Sequence, residues 1–394
     1  MVKLELNRTA IAAAVAATVL ANVANATQDE IQALKQQLEQ QQAQLDALTD
    51  ALESNRNSGS DGWWADTSFG GYAELHYNNI NSQQSSKDTV ELDLHRFVLF
   101  FGHRFNDKVS FFSELEVEHT VAGEGKNGEV EVEQAFIKYQ YADNHSAKAG
   151  VFLVPVGILN EVHEPDTFYG VERNNVEKNI IPTTWWEGGV MASGEMFTGV
   201  SYDASVSSGL YLDAADGDFK VRDGRQKASE ANATDMAYTA RIVWNGMPGV
   251  QVGFTGQYNT DLLQGDVVGS VKDVDALLLE THVDLRKGPI GLRALYATWD
   301  IDSALDDIAA GASEQTGWYV EPSYKFSEKV GVFARYSQWD NQAADDDVDS
   351  NYEQMDVGIN YWLVDTVALK ADVQKTNEPG NTKEGFNLGI GWSF

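Results

Sequence analysis

The 394-residue chain contains no cysteine and only seven prolines. The absence of cysteine excludes a disulfide framework, a thiol nucleophile and any metal site with cysteine ligands. Basic residues are also scarce, since 28 Lys and Arg stand against 60 Asp and Glu, and the formal net charge is -32. A chain this acidic repels a phosphate backbone, so nucleic acid is excluded as a partner.

The chain also lacks an apolar run of about 20 residues, the length that crosses a bilayer as a helix. The apolar run at residues 10–21 is shorter; it follows Lys3 and Arg8, and the small residues "ANA" stand at 24–26. A basic start, a short apolar run and a small-residue cleavage site are the features of a secretory signal peptide. We therefore predict that residues 1–26 are a signal peptide and that the protein is exported.

Residues 27–55 carry a narrow apolar stripe at alternating spacings of three and four, formed by Ile31, Leu34, Leu38, Leu45, Leu48 and Leu52. Such a stripe is typical of a coiled-coil seam and is too narrow for a helix packed on a globular core. We predict a coiled-coil trimerisation helix at 27–55, followed by a linker at 56–66. The alternative interpretation is a helix that lies on the rim of the following domain.

From residue 67 to the C-terminus the hydrophobic period is two, which is the period of β-strands. The final stretch, "KEGFNLGIGWSF", places its large apolar residues on one face, namely Phe386, Leu388, Ile390, Trp392 and Phe394. We predict sixteen strands, with tight turns after every second one at "FND", "YADNH", "SGEM", "NGMPG", "RKGP", "SEK" and "LVD". The intervening connections are longer, polar and acidic.

This alternation of short and long connections is typical of an outer-membrane β-barrel. A soluble β-sandwich has no reason to sort its connections in this way. We therefore predict an all-β fold, a transmembrane antiparallel β-barrel of about 16 strands over 67–394, with the N-terminal coiled coil before it. The location is then the outer membrane of a Gram-negative bacterium, with outer-membrane lipid against the apolar faces. Trp392 and Phe394 resemble the C-terminal signal that the outer-membrane assembly machinery reads.

The connection between the fifth and sixth predicted strands, at about 154–184, is far longer than an ordinary loop. It is the third outer loop, and it contains Pro155, Pro165 and Pro182 together with several residues of the type usually buried. We predict that it folds into the lumen and narrows it. The second strand contains a conflict of parity, because His95 and Arg96 cannot both face the lumen without a β-bulge.

Several motifs resemble the phosphate-selective porin O/P-type family of Gram-negative outer-membrane porins. They are "GGYAELHYN", "VELDLHRFVLFFGHRFNDKVSFFSELEVE", "VEQAFIKY", "KAGVFLVPVGILNEVHEP" with the later "VERN", and the final "GIGWSF". The resemblance covers essentially the whole mature chain. It implies a sixteen-stranded homotrimeric porin whose lumen is lined with Arg and Lys for anions.

The charges on the predicted luminal faces depart from this pattern. The basic candidates are Arg173, Arg241, Arg293, Lys325, Arg335 and Lys370. The acidic candidates are Glu74, Glu114, Glu116, Glu118, Glu161, Glu164, Glu280, Glu321 and Asp356. Rings of Asp and Glu favour cations, so we predict a general porin for small ions and hydrophilic solutes. The alternatives are a phosphate- or anion-selective porin and a structural tether that uses the coiled coil.

Other charged stretches leave alternatives open or predict no chemistry. "FKVRDGRQK" in the fourth outer loop is an anion funnel, a contact for lipopolysaccharide phosphates or a solvated loop. Asp345, Asp347 and Asp349 have the first EF-hand spacings, but Ser350 replaces the required glycine, so we predict no calcium site. The seven histidines are scattered singly and no nucleophile motif occurs, so we predict no metal, no cofactor and no enzymatic activity.

Overall fold

The computed structural model describes residues 62–120, 125, 128–213, 219–345, 347 and 349–394. Sixteen antiparallel strands form a closed barrel in which each strand pairs with the next one in sequence and β1 pairs with β16. The predicted all-β barrel of about 16 strands is therefore confirmed. The predicted signal peptide, the coiled coil and most of the linker lie outside the described residues.

The elements follow one another in simple up-and-down order. The strands are β1 (Thr67–Ser82), β2 (Thr89–Arg104), β3 (Val109–Glu118), β4 (Val130–Ala142), β5 (His145–Leu153), β6 (Trp186–Phe197), β7 (Val200–Ser208), β8 (Met236–Met247), β9 (Val250–Asn259), β10 (Ala276–Lys287), β11 (Ile290–Ile301), β12 (Glu314–Ser327), β13 (Val330–Asp340), β14 (Asn351–Val364), β15 (Val367–Glu378) and β16 (Asn381–Ser393). The helices are α1 (Val176–Asn179) and short 3-10 turns at Trp63–Asp66, Ser85–Lys87, Val221–Gly224 and Ser303–Asp307. No helix in the described part of the chain is long and apolar enough to cross a membrane.

Short turns and long connections alternate around the barrel as predicted, with two exceptions. The β6–β7 turn lies at 198–199 and not at the predicted "SGEM", because Gly199 adopts the positive φ of 80° that this turn requires. The predicted long connection between β15 and β16 was wrong. Pro379 and Gly380 alone join these strands, and Gly380 has a φ of 68°.

Two of the long connections matter for the lumen. The third loop is residues 154–185, between β5 and β6, and the fourth loop is residues 209–235, between β7 and β8. Both contribute side chains to the interior of the barrel.

The outward face of the barrel is a belt of exposed apolar side chains. It includes Phe254, Tyr258, Met355, Val357, Ile359, Leu369, Val373, Phe386 and Leu388, which the period-two pattern of the sequence places on the apolar faces of their strands. The C-terminal residue does not fray, because Phe394 exchanges two backbone hydrogen bonds with Gly71 at the start of β1, at 2.9 and 3.0 Å. The alternation in the sequence therefore identified the outward face of these strands correctly.

The predicted bulge in β2 is present. Glu74 pairs with Arg96 and Leu75 pairs with Leu94, so His95 is the extra residue of β2. Both His95 and Arg96 line the same interior cavity. The bulge is confirmed, and it resolves the conflict of parity.

One part of the interior is apolar, which the sequence analysis did not predict. Leu278, Leu295 and Trp299 point inward from β10 and β11 and are fully or almost fully buried. They pack in one cluster with loop residues that include Val154, Val176, Ile180, Ile181, Trp185, Leu210, Leu212, Phe219, Leu262, Leu263 and Leu305. The lumen next to β10–β13 is therefore filled by a hydrophobic core and contains less open space there.

Candidate functional site

Glu177 in α1 organises the fold of the third loop. Its Oε2 accepts hydrogen bonds from the backbone N of Ile158 at 2.8 Å and of Leu159 at 2.6 Å. Its Oε1 accepts from the hydroxyl of Tyr319 on β12 at 2.8 Å and from Asn174 Nδ2 at 3.2 Å. Four donors converge on one buried carboxylate, which ties the loop to itself and to the wall.

The wall of β11–β14 also holds the loop by its backbone. Side-chain donors reach loop carbonyls in four hydrogen bonds: Arg293 Nη2 to Thr167 O (3.1 Å), Trp299 Nε1 to Ile180 O (2.9 Å), Arg335 Nη2 to Glu172 O (3.3 Å) and Asn360 Nδ2 to Phe168 O (3.2 Å). A segment that crosses a barrel has no β-ladder for its carbonyls, so wall side chains provide the partners.

On the side of the barrel where β1 meets β16, the loop contacts both closing strands. His76 Nδ1 lies 3.0 Å from Glu172 Oε1, and Ser393 Oγ donates to Asp166 Oδ1 at 2.7 Å. On the neighbouring β15, Asp372 Oδ2 accepts a hydrogen bond from the backbone N of Val171 at 2.7 Å. The third loop therefore spans the width of the lumen.

The fourth loop covers the third. Arg225 Nη1 donates to the carbonyl oxygens of Thr184 at 2.7 Å and Pro182 at 3.3 Å, and Arg222 donates to the carbonyl of Lys178. This contact keeps two arginines inside the barrel, where burial is otherwise costly for a charged group.

A cavity of ≈ 550 Å³ lies beside these loops, and its wall side is acidic. Carboxylates come from β1 to β4 and the residue before β4, namely Glu74, Glu91, Asp93, Glu116, Glu118, Glu129, Glu131 and Glu133. The imidazoles of His76, His95 and His119 line the same side, and the rings of His76 and His95 stack at 4.8 Å. Arg96 lies among the acids and is paired with Glu74 at 2.7 Å.

The loop side of the same cavity is mainly basic. The lining residues there include Arg173 and Lys178 from the third loop and Arg222, Arg225 and Lys227 from the fourth. Lys227 reaches across to the acidic side, with its Nζ 3.4 Å from Glu129 and in contact with Glu131. The cavity therefore separates charges of opposite sign, and we call it the charged cavity.

Two ionisable groups on the loop side have shifted pKa values. Burial opposes ionisation of Glu172, but the adjacent His76 lowers the pKa of this carboxyl well below its usual range. Burial lowers the pKa of Arg222 to about 10, and the nearby Arg225 adds to the effect. Both groups are therefore charged at neutral pH.

The predicted basic residues occupy different places. Arg173 lines the charged cavity, whereas Arg241 is paired with Glu161 at 2.5 Å and with Asp203 at 2.7 Å. Arg293 and Arg335 hold the third loop and are also paired with carboxylates of the wall, Asp284, Glu321 and Asp356, at 3.1–3.2 Å. The remaining two lie over aromatic rings, with Lys325 Nζ 4.7 Å from the ring centre of Trp362 and Lys370 Nζ 3.7 Å from that of Phe168.

The predicted acidic residues divide in a similar way. Glu74, Glu116 and Glu118 line the charged cavity. The others lie elsewhere: Glu114 and Glu280 are buried in the wall beside histidines, Glu321 and Asp356 are bound to Arg335, Glu161 is bound to Arg241, and Glu164 lies in the third loop.

Most of the histidines and carboxylates that line the charged cavity were not predicted from the sequence. Glu129, Glu131 and Glu133 alternate along the start of β4, and this pattern alone marks one acidic face. His76, His95 and His119 lie far apart in sequence, and only the pairing of β1, β2 and β3 brings them together. A second concavity of ≈ 680 Å³ is lined mainly by β14 and β15 and includes the outward-facing Met355 and Val373.

Comparison with known proteins gives one relative by sequence. No family model matches the chain. An uncharacterized protein of Aquifex aeolicus (strain VF5) is 31% identical over 359 residues, which covers 83% of this chain and 80% of that protein. The chain belongs to the same protein family as this relative.

Solved structures identify the fold. The anion-selective porin from Comamonas acidovorans matches with a TM-score of 0.59 and the outer membrane channel DcaP of Acinetobacter baumannii with 0.57. Each is 12% identical to this chain and covers 83% of it, and the matches cover 99% and 97% of their own chains. At this identity the likeness shows the fold alone, so the barrel has the porin fold.

Proposed function

We propose that this protein is an outer-membrane porin through which small hydrophilic solutes and ions diffuse passively. The observation that carries the proposal is the charged cavity, which lies between the wall and the third and fourth loops of a porin-fold barrel. The outward apolar belt supports a place in the outer membrane. Export by a signal peptide at 1–26 and assembly as a trimer through the helix at 27–55 belong to the same proposal.

The arrangement of charge suggests which solutes pass through the cavity most readily. Acidic side chains of β1–β4 and basic side chains of the loops produce an electric field across the opening, and low-dielectric walls concentrate that field. A solute that enters must align its dipole with the field. Small polar and zwitterionic solutes therefore pass more readily than apolar ones of the same size.

The selectivity of the cavity follows from the near balance of its charges. The basic lining residues, with Lys87 and Lys383 included, are almost as numerous as the acidic ones. Charges of one sign must dominate a narrow opening before it selects strongly between anions and cations. We therefore favour a general porin over a phosphate-specific one.

The alternative is an anion- or phosphate-selective porin, and one observation favours it. Arg173, Lys178, Arg222 and Arg225 come from two loops and line the same side of the cavity. A desolvated phosphate needs such a convergence of Arg and Lys. Chloride conductance measured with added phosphate separates the two proposals, because submillimolar block indicates a phosphate site and no block indicates a general porin.

Planar-bilayer recording of the full-length protein tests the proposed function. We expect stable conductance in three equal steps, whereas a silent barrel would leave only the structural tether. Glu116→Gln combined with Glu118→Gln replaces two carboxyl groups on the acidic side of the cavity by neutral amides. The reversal potential in a salt gradient should then move toward anion preference, most strongly at low salt, where screening is weak.

Glu328→Gln is the matched control, because Glu328 is an exposed acid in the short turn between β12 and β13, outside the cavity. It should leave the reversal potential unchanged. An unchanged potential in the Glu116/Glu118 double variant as well would show that the charged cavity does not set selectivity.

A further inference from the structure

Three side chains from different parts of the chain converge where the third loop meets β3 and β4. Glu114 belongs to β3, Glu133 is the extra residue of a bulge in β4, and His163 belongs to the third loop. Their exposed fractions are 1%, 1% and 3%. We call this group the Glu–Glu–His triad.

The facing atoms of the triad lack hydrogen-bond partners. His163 Nε2 lies 3.5 Å from Glu114 Oε1 and 3.5 Å from Glu133 Oε2. Direct N–H···O bonds are shorter, at about 2.7–3.2 Å. Within the described residues, none of these three atoms has a hydrogen-bond partner. A buried polar atom without a partner is costly, so a ligand that contacts all three atoms would stabilise this site.

Arg96 does not contact the facing atoms of the triad. Arg96 donates to Glu74 at 2.7 Å and to the hydroxyl of Tyr72 at 3.1 Å. Its contact with the third loop is to the carbonyl oxygen of His163, at 3.3 Å, and not to the triad carboxylates.

Hydrogen bonds on the far side of the triad orient its members inward. His163 Nδ1 lies 3.1 Å from the carbonyl oxygen of Asn160, which only accepts, so Nδ1 carries a hydrogen. In the neutral imidazole, Nε2 then presents its lone pair to the centre of the triad. Gln134 Nε2 donates to Glu114 Oε2 at 2.7 Å, which leaves Oε1 free to face the centre. Metal-binding histidines and carboxylates are typically held in this manner.

The spacing of the atoms suits a small metal ion. Bonds of about 2.1 Å in tetrahedral geometry separate ligand atoms by about 3.4 Å. The two distances from His163 Nε2 are 3.5 Å, and all three ligand atoms lie within 4.8 Å of one another. We propose that Glu114, Glu133 and His163 bind a divalent transition metal ion such as Zn²⁺, which fastens the third loop to the barrel wall.

Charge and access agree with this assignment. Two carboxylates and a neutral imidazole compensate the charge of a divalent ion, and three protein ligands leave one coordination position open. Glu133 also lines the charged cavity, so the triad lies directly beside the cavity.

Zinc binding to the full-length protein in detergent, stripped with EDTA, tests the proposal. Isothermal titration with ZnCl₂ should show a saturable site that is weakened at least about tenfold in Glu133→Gln and in His163→Gln. His282→Gln is the matched control, because His282 is a buried histidine with a single carboxylate, Glu280, at 2.7 Å. Equal affinity in the wild type and in both triad variants would overturn the proposal.

Asp93, His95 and His119 form a more exposed group in the charged cavity, and a second measurement separates it from the triad. The zinc-edge X-ray absorption spectrum of the wild-type protein with one equivalent of Zn²⁺ should show one imidazole and otherwise oxygen ligands. Two imidazoles would place the ion at His95 and His119 and contradict the proposal, as would the absence of saturable binding. This spectrum needs no variant, so it decides even if His163→Gln does not fold.

Discussion

Among single residues, Glu177 has the clearest effect on the third loop. Glutamine at this position retains one of the two oxygens. Its NH₂ group replaces the other oxygen and cannot accept hydrogen bonds from the donors that face it. Glu177→Gln should therefore lower the free energy of unfolding by about 1.5–3 kcal/mol, the contribution of a hydrogen bond to a charged group. Denaturant titration of the refolded protein measures this loss, and limited proteolysis should show faster cleavage within the third loop.

Tyr319→Phe is the milder comparison, because it removes one of the four donors and leaves the carboxylate in place. Its unfolding free energy should fall less than that of Glu177→Gln. If both variants match the wild type in stability and in cleavage rate, then Glu177 does not organise the loop.

At this scale the sequence predicted which way many side chains point but not what they touch. The period-two pattern predicts that Arg241, Arg293 and Arg335 lie on the inward face. Their partners were not predictable, because Arg293 bonds to the carbonyl of Thr167, more than a hundred residues earlier in the chain. Local periodicity has no information about contacts across a closed barrel.

Among the elements, β16 shows why one face of a strand is built from small residues. Gly389 and Gly391 face the third loop, and a Cβ added at Gly391 would lie 2.4 Å from Cβ of Pro165. Gly391→Ala should therefore displace the loop and lower the unfolding free energy by about 1–3 kcal/mol, the usual cost of overpacking. The temperature at which the folded barrel loses its gel mobility measures stability, and bilayer recording measures the accompanying change in conductance.

Gly256→Ala on β9 provides the control, since a Cβ there would meet Leu279 Cδ2 at an ordinary 3.7 Å. We expect a change below about 1 kcal/mol and wild-type conductance. A Gly391→Ala barrel that is as stable and as conductive as Gly256→Ala would mean that the loop is not packed against β16.

The elements also differ in how far the sequence could predict them. Strands with one apolar face, such as β14 and β15, were predicted with the correct outward residues. In β10, Leu277 and Leu279 face outward while Leu278 is buried inside, so both faces are apolar over this part. The rule that the inward face is polar fails there, because the loops fill that part of the lumen with their own apolar side chains.

For the whole molecule, we propose assembly as a trimer. Replacing Leu38 and Leu45 by charged residues should weaken trimerisation of the isolated N-terminal segment, because charges in a coiled-coil seam are costly. We expect the proposed full-length trimer to survive, since contacts between barrels should bury more area than the helix does. Native electrophoresis and light scattering measure both species.

Dissociation of the full-length double variant in mild detergent would contradict that expectation. The helix would then be the main source of trimer stability, and the barrels would contribute little. An unaffected N-terminal segment would instead refute the coiled-coil interpretation of residues 27–55.

The contacts of the third loop with both closing strands bear on how the barrel stays closed. The loop bonds to His76 on β1 and to Ser393 on β16, so it bridges the seam between the first and last strands from within. The paired seam therefore resists lateral opening toward lipid more strongly than strand pairing alone would. Separating β1 from β16 also breaks the contacts of the loop with one of these two strands.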